Sequence, residues 1–233
     1  MPWPGGQSIR HHRPVILVQA VLETLVPDGF GLWPVGEHEP YGFLTLHGDM
    51  TPADIGTAVA CIANGTDPVE DGDRRPEPHP ADPVDADPVD TFLYGLLNNP
   101  YPVAPGGFRV TDTATGAALL PGCCNGLDEW RDWLEVLDGG GVAGFGHGPS
   151  PLVERLGDVV RLTVDTDADT DTEGGSPVIE LPVDELRRLI AGAEQDLRGF
   201  LRLAGSWAER QLPGYAAALT AALARVADPV EDD

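Results

Sequence analysis

Residues 183–212 read VDELRRLIAGAEQDLRGFLRLAGSWAERQL. Leu186, Leu189, Ile190, Ala193, Leu197, Phe200, Leu201, Ala204, Trp207 and Ala208 recur at three- and four-residue steps. That period puts them on one face of a helix. Gly192, Gly199 and Gly205 interrupt the run. Glycine permits close packing and weakens a helix, so a bend is expected near Gly205-Ser206. Pro213-Gly214 separates a second helix over 215–226, and the two form a C-terminal helical hairpin. Just upstream, 159–164 and 178–181 read as a strand and its return across an acidic loop.

The rest of the chain mixes both element types. The span 15–26 is rich in β-branched residues and reads as a strand; Val15, Val18, Leu22 and Leu25 also fit a helical face. Pro27-Asp28-Gly29 turns, and 30–35 and 41–47 read as further short strands of a meander. Thr51-Pro52 opens a helix, with Thr51 as cap and Asp54 in the capping-box position. Asn64-Gly65 stops it. A short helix is expected over 91–97, a strand over 108–111, and a helix over 125–137 capped by Asn125. The expected class is α+β: an antiparallel or mixed sheet packed against helices.

The expected organisation is a tail at 1–13, one domain over 14–228, and an acidic tail at 229–233. The proline- and acid-rich span 65–90 ends in the imperfect repeat Ala81-Asp82-Pro83-Val84-Asp85, Ala86-Asp87-Pro88-Val89-Asp90. It reads as a loop within that domain or as a linker between two lobes. Asp165, Asp167, Asp169, Asp171 and Glu173 imitate the start of a calcium loop. Thr170 and Ser176 then stand where glycine and glutamate are needed, so no dedicated site is expected.

Charge excludes more than it identifies. Fourteen basic residues, all arginine, face 38 acidic ones, for a net charge of −24. Such a surface repels phosphate backbones and anionic membranes, and it suits a basic protein partner or simple solvation. The apolar run at 15–18 is too short for a membrane span, and the expected location is the cytoplasm. Cys61, Cys123 and Cys124 make no disulfide framework.

Cys123-Cys124 is the most unusual local feature. With His147 it offers a cysteine nucleophile and a base, and Asp128 or Asp132 could orient the imidazole. Either thiol could equally fill the core. No zinc site is expected from these residues: the usual paired spacing is missing, and adjacent cysteines chelate one ion awkwardly. No cofactor is expected. His47-Gly48-Asp49 reads as a turn with an exposed imidazole. His38 lies between Glu37 and Glu39, which implies no activity by itself. Trp130 and Trp133, beside Asp128, Glu129 and Asp132, offer aromatic anchors within an acidic patch; the same helical spacing also fits a core face. No phosphate-cradling loop, nucleophile elbow or zinc-protease helix motif is present.

The stretch Pro121-Gly122-Cys123-Cys124-Asn125-Gly126-Leu127-Asp128-Glu129-Trp130-Arg131-Asp132-Trp133, followed by Gly146-His147-Gly148-Pro149-Ser150-Pro151, resembles small acidic α+β proteins of high-GC bacteria. That set includes toxin-immunity-like proteins, and the resemblance spans about 120–164. The resemblance carries over no catalytic residue. The net charge of −24, Trp130 and Trp133 beside acids, and the lack of a catalytic set lead to the expected function, a non-enzymatic, immunity-like protein that engages a basic partner. The alternative expectation is a cysteine-dependent hydrolase or transferase using Cys123 or Cys124 with His147.

Overall fold

The computed structural model describes residues 15–66, 87–168 and 175–227. The tail at 1–13, most of the 65–90 span with the first copy of its repeat, Asp169, Asp171 and Glu173, and the tail at 229–233 lie outside the described residues.

The fold is α+β, with two antiparallel four-stranded sheets in place of one. The first joins β1 (Ile16–Glu23), β2 (Phe43–Thr45), β3 (Gly106–Asp112) and β4 (Ala118–Leu119) in the order β2-β1-β3-β4. β1 is central: Val21 faces Thr45 on one side, and Val18 faces Val110 on the other. The second sheet runs in chain order through β5 (Val142–Gly144), β6 (Leu152–Leu156), β7 (Val159–Thr163) and β8 (Val178–Pro182). Alternation is plain in β8, where Ile179 and Leu181 are buried and Val178 and Glu180 face solvent.

Helix α1 spans Pro52–Asn64 and α2 spans Pro88–Asn98. Helix α4 (Val183–Gln211) leaves β8 without a loop and packs against β1, while also touching β7 and β8. Helix α5 (Ala216–Ala227) lies beside it, completing the expected hairpin. The buried side chains of both sheets belong to one continuous cluster. Gly199 explains how close α4 comes: a Cβ there would stand 2.8 Å from the Gly48 Cα. Among the described residues, no helix is long and apolar enough to cross a membrane.

Helix α4 runs unbroken through Gly205-Ser206, with Ala204, Trp207 and Ala208 buried on its packed face. Two local expectations are corrected. The 30–35 segment forms no strand. It turns Trp33 into the core, where the indole Nε1 donates to the Gly56 carbonyl at 2.8 Å and the ring meets Trp207 edge-on. Over 125–137 the expected single helix is a 3₁₀ turn (Leu127–Arg131), a short α turn α3 (Asp132–Glu135) and a wide π turn (Val136–Gly140). Asn125 does not cap it: its amide donates to the Gly106 carbonyl at 2.7 Å and ties this segment to β3.

Candidate functional site

The two sheets meet at a seam between two glycine-rich loops. One is Gly122-Cys123-Cys124, which follows β4, and the other is Gly146-His147-Gly148-Pro149, between β5 and β6. Backbone hydrogen bonds sew them together. Gly122 N–H donates to the Phe145 carbonyl at 2.8 Å, and Cys123 N–H to the His147 carbonyl at 2.7 Å. His147 N–H returns a bond to the Cys123 carbonyl at 3.2 Å, making an isolated antiparallel bridge.

Two glycines permit this approach. A Cβ on Gly122 would stand 2.2 Å from the Pro149 carbonyl oxygen and 2.5 Å from the His147 nitrogen. Gly146 has φ +90, and a Cβ there would sit 2.6 Å from the Cys123 carbonyl oxygen. Below the seam, Phe145 is buried and stacks on Trp133 with ring centroids 4.6 Å apart. An aromatic pair of this kind fixes the entry of the His147 loop.

The side chains above the seam converge. Cys123, Cys124 and His147 are all exposed, and one ligand atom from each lies within 4.8 Å of the others. The Cys123 and Cys124 Sγ atoms are 3.5 Å apart. Consecutive residues of a strand point to opposite faces. Cys124 escapes that rule by a left-handed backbone, φ +67, which turns its thiol to the side of Cys123. The two adjacent thiols therefore lie on one side of the chain, close to the His147 ring. Their exposure corrects the placement of these two thiols in the core. The third thiol, Cys61, is buried on α1 and accepts the Leu25 N–H at 3.3 Å; burial pushes its pKa up. Contact with the Cys123 thiol pushes the Cys124 thiol up as well.

The other residues singled out in the sequence are dispersed. Trp130 and Trp133 are 4% and 1% exposed, so the indoles are core groups. Trp130 Nε1 donates to the Ala227 carbonyl at 2.9 Å and anchors the end of α5, and Trp133 supports the seam. Asp128, Glu129 and Asp132 are half-buried on the 3₁₀ turn and α3. Burial raises the Glu129 carboxyl, helped by the Asp128 and Asp132 charges; burial and then Asp128 raise Asp132. Among the described residues, neither Asp128 nor Asp132 hydrogen-bonds the His147 ring. Asp165 and Asp167 serve the chain itself. Asp165 Oδ1 accepts the Ser150 N–H and the Asp167 N–H, both at 3.0 Å, and Asp167 accepts the Ser150 hydroxyl.

A second group was not legible as a unit. His38 Nε2 lies 3.2 Å from Asp54 Oδ1, and the Thr51 hydroxyl donates to Asp54 Oδ2 at 2.7 Å. That hydroxyl contact is the main cause of the lowered Asp54 pKa, outweighing partial burial; His38 lowers it further. His38 also lines a cleft of about 390 Å³ with Val26, Phe30 and Glu37. His47 forms the expected turn, its Nδ1 accepting the Asp49 N–H at 3.1 Å.

Comparison with known proteins finds no protein family, no curated protein and no solved structure that matches the chain. The seam therefore has to be interpreted from its own chemistry.

Proposed function

We propose that Cys123, Cys124 and His147 bind one thiolate-preferring cation of the zinc(II) class. The observation that carries this reading is the convergence of two sulfurs and one imidazole within 4.8 Å on an exposed surface. Such a donor set suits zinc and copper(I) and disfavours magnesium or calcium. With zinc–sulfur bonds of about 2.3 Å, the sulfur–sulfur edge of a tetrahedron is about 3.8 Å. The thiols stand 3.5 Å apart, so that edge needs little adjustment. The imidazole must close by roughly 1 Å, which an exposed ring can do by rotation. Three protein ligands leave a coordination position for water or a substrate atom, the arrangement of a catalytic or exchange site. A net charge of −24 further favours cation approach.

Nucleophilic catalysis by Cys123 or Cys124 with His147 has less support. It calls for an imidazole oriented by a third group, and among the described residues the His147 ring makes no hydrogen bond. The acidic exterior supports a separate reading, engagement of a basic protein partner in the manner of immunity-like proteins. Its specific support is the crowding of Asp128, Glu129 and Asp132, whose mutual repulsion contributes to the raised Glu129 pKa. With the indoles in the core, that surface would act by charge alone, so its complexes should weaken steeply with salt.

Cobalt(II) titration of the reduced, metal-free protein tests the metal reading. One equivalent should bind with thiolate-to-metal charge-transfer absorption. Cys123→Ser and Cys124→Ser should abolish that band, His147→Ala should weaken binding at least about tenfold, and Cys61→Ser should change nothing. Absence of the band, or its persistence in a double Cys123→Ser, Cys124→Ser variant, would overturn the assignment.

A further inference from the structure

We propose that Cys123 and Cys124 are also a modification site: a hydroperoxide oxidises them to a reversible disulfide between neighbouring residues, which removes both sulfur ligands at once. The disulfide stands on geometry independent of metal binding; only its effect on a bound ion rests on the reading above.

Three observations converge on it. The sulfurs are already in van der Waals contact at 3.5 Å, and both side chains are exposed, so rotation about χ1 can bring them to the roughly 2.05 Å of a disulfide. Cys124 holds φ +67, so the two thiols share a side before any bond forms. The remaining thiol, Cys61, is buried on α1 and engaged by the Leu25 N–H, and so is shielded from both oxidant and exchange.

The chemistry balances with a peroxide as the two-electron oxidant. One thiolate attacks a peroxide oxygen; the O–O bond breaks, and a sulfenic acid and hydroxide form. The second thiolate attacks the sulfenic sulfur; the S–S bond forms and hydroxide leaves. The two hydroxides take up the two thiol protons, so two thiols and one hydrogen peroxide give one disulfide and two waters.

Geometry also sets how durable the product is. Adjacent Cα atoms are about 3.8 Å apart across a trans peptide, short of the roughly 4.4–6.8 Å that unstrained disulfides span. Ring closure therefore strains the bond, and strained, exposed disulfides are the readily reduced ones. The product should reopen with a mild thiol reductant. Once oxidised, the seam keeps only His147 as a metal ligand, and a single imidazole does not retain the ion.

The test uses the full chain, reduced and metal-free, treated with stoichiometric hydrogen peroxide. The intact mass should fall by two hydrogens, and peptide mapping should place the bond inside the tryptic fragment 110–131 that holds both residues. Dithiothreitol should restore the mass. Cys61→Ser should behave identically. Cys124→Ser should gain oxygen at Cys123 or form an intermolecular dimer instead. In the wild-type chain, oxygen adducts on separate cysteines, linkage to Cys61, intermolecular dimers, or no change would each overturn the proposal. A parallel sample loaded with zinc should release it in step with disulfide formation. Failure to load zinc, with the disulfide formed, would refute the metal reading alone. Zinc bound with no disulfide formed under peroxide would refute the redox proposal alone.

Discussion

Gly122 shows how one missing side chain supports the site. Its absent Cβ leaves room for the Pro149 carbonyl and the His147 amide, at distances no methyl group tolerates. Gly122→Ala should destabilise the protein by about 1–3 kcal/mol, by analogy with overpacking, and should lower cobalt affinity as the loops part. Urea denaturation and metal titration read the two effects. At Asp54 the expectation concerns pH. Its pKa is depressed below the ordinary 3.8, chiefly by the Thr51 hydroxyl. A depressed carboxyl contributes stability that is fully present above its unfolded pKa and lost as pH falls through the folded one. Asp54→Asn should therefore unfold at lower urea than wild type near neutral pH, and the two midpoints should converge in strong acid. Equal midpoints at neutral pH would contradict this. At this scale the sequence was informative about chemistry and silent about meeting points. The adjacent thiols stand out in it, but nothing in a 24-residue separation shows that His147 pairs with Cys123 across the seam.

Among the elements, α1 and α4 were legible because their signals are local. Thr51, Pro52 and Asp54 lie within four positions, and the Asp54 N–H does donate to the Thr51 hydroxyl at 3.2 Å. The apolar face of α4, from Leu186 to Ala208, repeats over about six turns, enough to outweigh its glycines. β5 and β6 were not legible. β5 is three residues long, with Val142 and Gly144 both exposed, so it carries no alternation, and only pairing with β6 defines it. The 125–137 segment misleads for a related reason. Its apolar spacing is helical, but Asn125 is held by β3 and the glycines from Gly139 onward widen the last turn. Trp133 on that segment tests how the core positions the seam. Trp133→Ala should lose about 3–5 kcal/mol, typical of a buried aromatic, and should weaken metal binding although the indole touches no ligand. Unchanged cobalt affinity in a folded variant would separate the stack from the site.

Over the whole molecule, like charge works against compactness. With 38 acidic residues against 14 arginines, carboxylates far outnumber basic partners; at Glu129, burial first and then the Asp128 and Asp132 charges raise the pKa. Raising monovalent salt from about 10 mM to about 150 mM shortens the Debye length from about 30 Å to about 8 Å, so the thermal midpoint should rise. A midpoint that falls would mean that specific ion pairs, such as Arg161 with Glu180, outweigh the repulsion. The α+β class was legible, but the division into two sheets was not, because β1 and β3 pair across some ninety residues that carry no mark of it. The three ligands are gathered by the Cys123–His147 bridge between a loop after β4 and a loop between β5 and β6, one from each sheet. X-ray absorption at the zinc edge of the zinc-loaded protein reads this most directly. Two sulfurs at about 2.3 Å and an imidazole nitrogen at about 2.0 Å are expected, with the sulfur shell lost in Cys123→Ser, Cys124→Ser. A first shell of oxygen and nitrogen alone would contradict the centre.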